Sequence, residues 1–187
     1  QEGKPLLLDN MFIDAFKKTL ESAMPDKAFQ AFALTLPAET YLADFMPVID
    51  PEAIHESRRF VQQVLALSLQ ESLLAVYRAN QDPGSYRVDR ESIARRSLRN
   101  TCLAYLMELD DKDVRKLCVE QFLFGGNMTN VMAALVNIAN VDCLEQEDAL
   151  GFFYERWKND PLVVDKWLAI QATSRLPNTL ERVKELT

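Results

Sequence analysis

The sequence predicts an all-α protein, an irregular superhelical array of antiparallel helical hairpins. Three observations predict it. Apolar residues recur at three- and four-residue spacings along most of the chain, the period of a helix with one buried face. Only five glycines and eight prolines occur in 187 residues, and most stand between the periodic segments. Beyond residue 88, alternate segments start about 30 to 40 residues apart, the interval of stacked two-helix units such as HEAT and armadillo repeats. No strict consensus recurs, so the array is irregular, and its units bury their apolar faces by stacking on one another.

The elements follow in order. Residues 1–8 are expected to be an extended lead-in. Asp9 or Asn10 caps a first helix with Phe12, Ile13, Phe16 and Leu20 on its apolar face, and Pro25-Asp26 breaks it. A short second helix presents Phe29, Phe32 and Ala33. Thr35-Leu36-Pro37 stops it and starts a third helix with Tyr41, Leu42 and Phe45, proline being well tolerated in a first turn. Asp50-Pro51-Glu52 combines a capping carboxylate, a proline at the first helical position and an acid against the helix dipole. The stripe Val61, Leu65, Leu69, Leu73 and Val76 or Tyr77 then predicts one helix reaching Tyr77 or Asn80, roughly 40 Å long at 1.5 Å per residue. Asp82-Pro83-Gly84 marks a loop. Further helices are expected to begin near Asp89, Asp111, Thr129, Glu145, Pro161 and Asn178.

Composition narrows the function. With 48% hydrophobic and 26% charged residues the chain is of the folded rather than the disordered class. Its 28 acidic against 21 basic residues give a net charge of −7, which disfavours a nucleic-acid partner and an anionic membrane surface. No apolar run is long enough to span a bilayer, and no signal-peptide pattern is present. The chain starts at Gln1 without an initiator methionine and ends at Thr187 within a helical pattern. It is therefore expected to be a fragment of a longer polypeptide: a single α-helical domain, 1–187, with a possible subdivision at 80–87 and no catalytic domain. Cys102, Cys118 and Cys143 lack metal-ligand spacing, and each is placed at an inward helix position as a reduced thiol, consistent with a cytoplasmic location.

No residue earns a catalytic, cofactor-binding or metal-ligating assignment. His55 is the only histidine, and Arg59 stands where a zinc-peptidase helix needs its second imidazole, so His55 is read as a helix-surface residue. Arg87, Arg90, Arg95, Arg96 and Arg99 could grip a carboxylate or phosphate. Arg95, Arg96 and Arg99 lie away from Ala94, Leu98, Cys102 and Tyr105, however, which favours a solvated face or one paired with neighbouring acids. Glu108, Asp110, Asp111 and Asp113 lack the glycine and terminal glutamate of a calcium loop and read as a capping turn. Gly125-Gly126-Asn127 is too short for a phosphate cradle and reads as one helix end followed by the cap of the next. Asn127-Met128-Thr129 fits a glycosylation acceptor, but nothing else suggests secretion. Phe152, Phe153, Tyr154, Trp157 and Trp167 could form a peptide-binding surface, though a helix–helix core is the expected role.

Three stretches together carry a resemblance. Ile93-Ala94-Arg95-Arg96-Ser97-Leu98-Arg99-Asn100, then Asn127-Met128-Thr129-Asn130 with Ala133-Ala134-Leu135, then Asp165-Lys166-Trp167 with Gln171-Ala172-Thr173-Ser174 resemble, in order and spacing, the C-terminal helical domain of the bacterial-type alanyl aminopeptidase (aminopeptidase N) family. The similarity covers nearly the whole chain, more loosely before Asp50. It implies a parent zinc exopeptidase that removes N-terminal residues from peptides. The family's His-Glu-x-x-His helix, its distant glutamate ligand and its Gly-Ala-Met-Glu-Asn motif belong to an upstream catalytic domain and are absent here. The implied role is to cap that catalytic domain and enclose the peptide chamber, with most chamber-lining residues beyond Thr187. Zinc is implied for the parent and no cofactor for this chain; the implied partners are the catalytic domain and, in the parent, peptides. The alternative is a free-standing helical-repeat scaffold that binds a protein partner.

Overall fold

The computed structural model describes residues 5–82 and 84–186, so part of the expected lead-in, Pro83 and Thr187 lie outside the described residues. Among the described residues there are eleven helices and no strand. The chain divides into two compact units, Gln1–Asp110 and Asp111–Thr187.

The first unit contains α1 (Asn10–Glu21), α2 (Lys27–Ala33), α3 (Glu39–Ala43), α4 (Pro51–Ser68), α5 (Gln70–Ala79) and α6 (Arg90–Leu106). Helix α6 is its centre and packs against α2, α4 and α5. Leu98, Cys102, Leu103 and Leu106 of α6 are buried together with Leu65 of α4 and Leu73 and Tyr77 of α5. Each such leucine contributes about 1.5–3 kcal/mol, an upper figure because unfolded chains already bury some surface. Polar groups fix the arrangement. The Tyr105 hydroxyl donates to the Leu34 carbonyl at 2.6 Å, closing the end of α2, and its ring meets Phe16 edge-on at 5.2 Å. Gln30 Nε2 lies 2.8 Å from the Thr19 carbonyl, 2.9 Å from that of Leu20 and 3.2 Å from that of Ser22. It thereby satisfies carbonyls that the end of α1 leaves without intrahelical partners.

Three expectations are corrected in this unit. Helix α2 turns Gln30 and Ala31 inward and leaves Phe29 and Phe32 exposed, because Gln30 is needed at the α1 terminus and small Ala31 permits close approach. Helix α3 has only five residues, starts after Pro37 rather than on it, and exposes Tyr41; Phe45 lies beyond its end, also exposed. The long helix predicted from Asp50 is two helices, broken at Leu69 (φ −124°, ψ 20°). No proline or glycine marks the break. Leu69 is buried, its N–H still reaches the Leu65 carbonyl at 3.0 Å, and its own carbonyl still accepts from Leu73 at 2.9 Å. Core packing bends the chain there with those backbone bonds kept.

The loop at 80–87 lies inside the first unit, because Arg96 of α6 binds it. The guanidinium donates to Asp82 Oδ2 and to the Arg87 carbonyl, both at 3.0 Å, and lies 5.0 Å from the Tyr86 ring centre.

The second unit contains α7 (Lys112–Phe124), α8 (Met128–Ile138), α9 (Leu144–Trp157), α10 (Pro161–Ala172) and α11 (Thr179–Glu185), each packed on the next. Asp111, Asn127 and Asp160 cap α7, α8 and α10 by accepting backbone N–H bonds, and Pro161 occupies the first turn of α10 as predicted. Side chains tie neighbouring helices to backbone. Gln121 Nε2 donates to the Asn130 carbonyl at 3.0 Å, Trp167 Nε1 to that of Leu150 at 2.9 Å, and Ser174 Oγ to that of Ala139 at 2.9 Å. Cys143 corrects a further expectation: it is the N-cap residue of α9 and partly exposed, whereas Cys102 and Cys118 are buried inside helices. No helix among the described residues is long and apolar enough to cross a membrane.

Candidate functional site

The titratable candidates resolve into structural contacts. His55 Nδ1 lies 2.9 Å from Glu39 Oε1, both side chains half-exposed, which ties α4 to the start of α3 at the surface. Arg87 pairs with Asp89, Arg90 with Asp26 and Arg95 with Glu91. Arg99 donates to the Tyr77 hydroxyl at 2.8 Å and stacks on that ring. Of the two expected roles, a solvated face or one paired with neighbouring acids, Arg96 takes the second: it is only 3% exposed and pairs with Asp82. Asp111 accepts from the Asp113 and Val114 amides, as a capping turn requires. Burial pushes the Cys102 and Cys118 thiols up to about 12, so neither is a nucleophile near neutral pH.

The aromatic group divides. Phe153 and Trp167 are core, with the Tyr154 ring centred 4.7 Å from that of Trp167 and tilted 36° to it. Phe152 is 53% exposed and meets Phe122 of α7 edge-on at 6.0 Å. Together with Phe124, Met128, Arg156 and Trp157 these two residues border a groove of about 460 Å³ between α7, α8 and α9. Its shape depends on the two glycines of the α7–α8 turn. Gly126 has φ +69°, a conformation most side chains resist, and a Cβ on Gly125 would stand 2.5 Å from the Gln121 carbonyl oxygen. Arg156 is the only charged residue among the eleven that line the groove. Its guanidinium lies 5.6 Å from the Trp157 ring centre. Sequence reasoning singles out Phe152 and Trp157 but misses Phe122, Phe124, Met128 and Arg156. Arg156 stands four residues after Phe152 on one helix face, a signal that could have drawn it in.

The family model described as "Domain of unknown function (DUF3458_C) ARM repeats" matches residues 1–187. The chain belongs to this family. Over its full length it is 41% identical to aminopeptidase N of Escherichia coli and 34% identical to that of Haemophilus influenzae; in each case it covers 21% of the relative. Aminopeptidase N of Caulobacter vibrioides is 31% identical over 96% of the chain, again 21% of the relative. A crystal structure of Legionella pneumophila aminopeptidase A, in complex with aspartic acid, superposes with a TM-score of 0.84 at 29% identity, over 98% of this chain and 23% of that one. The chain thus spans about one fifth of the length of the relatives it matches. It is homologous to the C-terminal helical domain of aminopeptidase N, and the all-α repeat class follows from both comparisons.

The stretches that carry the resemblance to aminopeptidase N are structural in this chain. Arg96, Leu98 and Arg99 build the α6 core and its ties; Asn127 and Asn130 make the α7–α8 turn; Trp167 fastens α10 to a carbonyl of α9, and Ser174, just past α10, bonds the Ala139 carbonyl just past α8. Among the described residues no side chains are grouped to fit a zinc ion. A peptidase zinc needs three converging donors, and no group of three or more His, Cys, Asp or Glu among the described residues is placed to hold a metal.

Proposed function

We propose that this chain is the C-terminal helical domain of a longer zinc-dependent aminopeptidase of the cytoplasm, which removes N-terminal residues from peptides. In this reading the domain caps the catalytic domain and encloses the peptide chamber, and it contributes no catalytic or metal-binding residue. The observation that carries it is the 41% identity to aminopeptidase N along all 187 residues. The surface of the first unit supports it. Phe29, Phe32, Phe45, Val48 and Ile49 each stand exposed, Phe32 at 76%, and large apolar side chains left open in this number are what a domain covered by the rest of a longer chain presents.

The test is made on the native polypeptide, captured from its source with an antibody against this chain. Its mass, zinc content and chelator-sensitive release of N-terminal alanine are measured. The expected result is a chain several times longer that holds zinc and is active. A native chain of about 187 residues without zinc would replace this reading with the free-standing scaffold.

A further inference from the structure

The capping role proposed above assigns nothing to the groove between α7, α8 and α9, and the chemistry of its lining is specific. We propose that it binds the C-terminal residue of a peptide, with an apolar or aromatic side chain against Phe122, Phe152 and Trp157 and the terminal carboxylate on Arg156. This inference rests on the peptide-handling reading above for the identity of its occupant.

Three properties support it. The volume, about 460 Å³, lies within the range of small-ligand sites and suits one or two residues rather than a helix. Its walls are aromatic and open: Phe152 is 53% and Phe124 79% exposed, so a bound side chain removes apolar area on both sides of the contact. The third property is charge. The chain carries −7 overall, yet the groove's only charged lining residue is a cation. Arg156 makes an aromatic contact with Trp157 and no ion pair or hydrogen bond among the described residues. An arginine held on a ring face keeps the N–H groups at its edge available, and their planar fork matches the two oxygens of a carboxylate. A neutral apolar ligand would leave that donor set unused. A carboxylate placed beside an apolar side chain uses both walls, and a peptide C-terminus has that composition.

The experiment titrates the 187-residue chain, by calorimetry and by tryptophan emission, with alanyl-alanyl-phenylalanine bearing either a free carboxylate or a C-terminal amide. Trp157 borders the groove, whereas Trp167 is buried and hydrogen-bonded elsewhere, so the Trp157 signal reports occupancy. The acid is expected to bind roughly tenfold more tightly than the amide, as a charge-assisted bidentate pair provides. Arg156→Gln, at an exposed position, is expected to lower the acid to the level of the amide. Phe152→Ser is expected to weaken both. Equal affinity for acid and amide, or no binding of either at millimolar concentration, overturns the proposal. Release of alanine from an anilide by the native polypeptide tests the enzyme reading separately, because an anilide has no carboxylate. Activity there without acid preference here removes only the groove proposal, and acid preference without activity removes only the enzyme reading.

Discussion

The two units are built on different plans. In the first, one helix, α6, is the hub, and its ties reach far along the sequence: Tyr105 to Leu34 spans 71 residues and Arg96 holds a loop 14 residues away. In the second, each helix packs on the next, with ties such as Gln121 to Asn130 and Trp167 to Leu150 spanning 9 and 17 residues and longer ones, Ser174 to Ala139 and Arg182 to Glu147, spanning 35. A hub concentrates stability in a few residues, while a chain of neighbours distributes it among interfaces of similar weight. One repeat family thus accommodates both a centred and a serial core within a single chain.

The largest effect that could break this comparison belongs to the hub. Arg96→Met leaves Asp82 beside apolar surface without its cation and frees the Arg87 carbonyl, so a loss of about 3 kcal/mol is expected in denaturant unfolding. Amide exchange is expected to quicken across α2, α5 and α6 together. Quickening confined to 80–90 would mean that α6 is no hub.

A smaller effect sharpens the serial plan. Gly125→Ala forces a Cβ to 2.5 Å from a backbone oxygen that cannot swing away, and about 2 kcal/mol of loss is expected. Gly126→Ala meets nothing within 4 Å and suffers only its positive φ, for about 1 kcal/mol. Both losses should appear as faster exchange in α7 and α8. If the two variants are equally destabilised, crowding at Gly125 is not what shapes the turn.

The smallest effect at neutral pH is a shared one, in the cysteines. Burial raises Cys102 in the first unit and Cys118 in the second from an ordinary 9.0 to about 12. A folded value above the unfolded one stabilises the fold fully below pH 9 and loses that contribution as pH climbs from about 9 towards 12. Both units are therefore expected to weaken over that window, with the weakening reduced in Cys102→Ala and Cys118→Ala relative to their own neutral-pH stabilities. Iodoacetamide at pH 8 is expected to label Cys143 in the folded chain and all three thiols in denaturant. Native labelling of Cys102 would show that the α6 core opens locally.

Much of this organisation is legible in the order of the residues alone. Caps and turns are local chemistry, so Asp50, Asp89, Asp111 and Pro161 mark helix starts, and Gly125-Gly126-Asn127 marks a turn, by their own side chains and backbone freedom. Tertiary choices are less legible. Helix α2 has barely two turns, too few for its pattern to say which face points inward, and the fold turns Phe29 and Phe32 outward. The continuous leucine stripe gives no hint of the break at Leu69, because packing rather than propensity bends the chain there. The groove is half legible. Its α9 residues form a visible aromatic cluster, but Phe122, Phe124 and Met128 join it only through the folded α7–α8 turn, about 30 residues upstream.

Gln30 shows how misleading a resemblance between side chains can be. One nucleotide change turns a glutamine codon into one for glutamate, adds no bulk, and passes as conservative in any table of substitutions. In this chain the glutamine nitrogen faces three backbone carbonyls. Glutamate there would set a negative oxygen against three others in a site that water barely reaches. Inheritance therefore meets at residue 30 a gate that reads the hydrogens and ignores the shape, and the same holds for slow chemical ageing, since hydrolysis of the amide makes the same exchange.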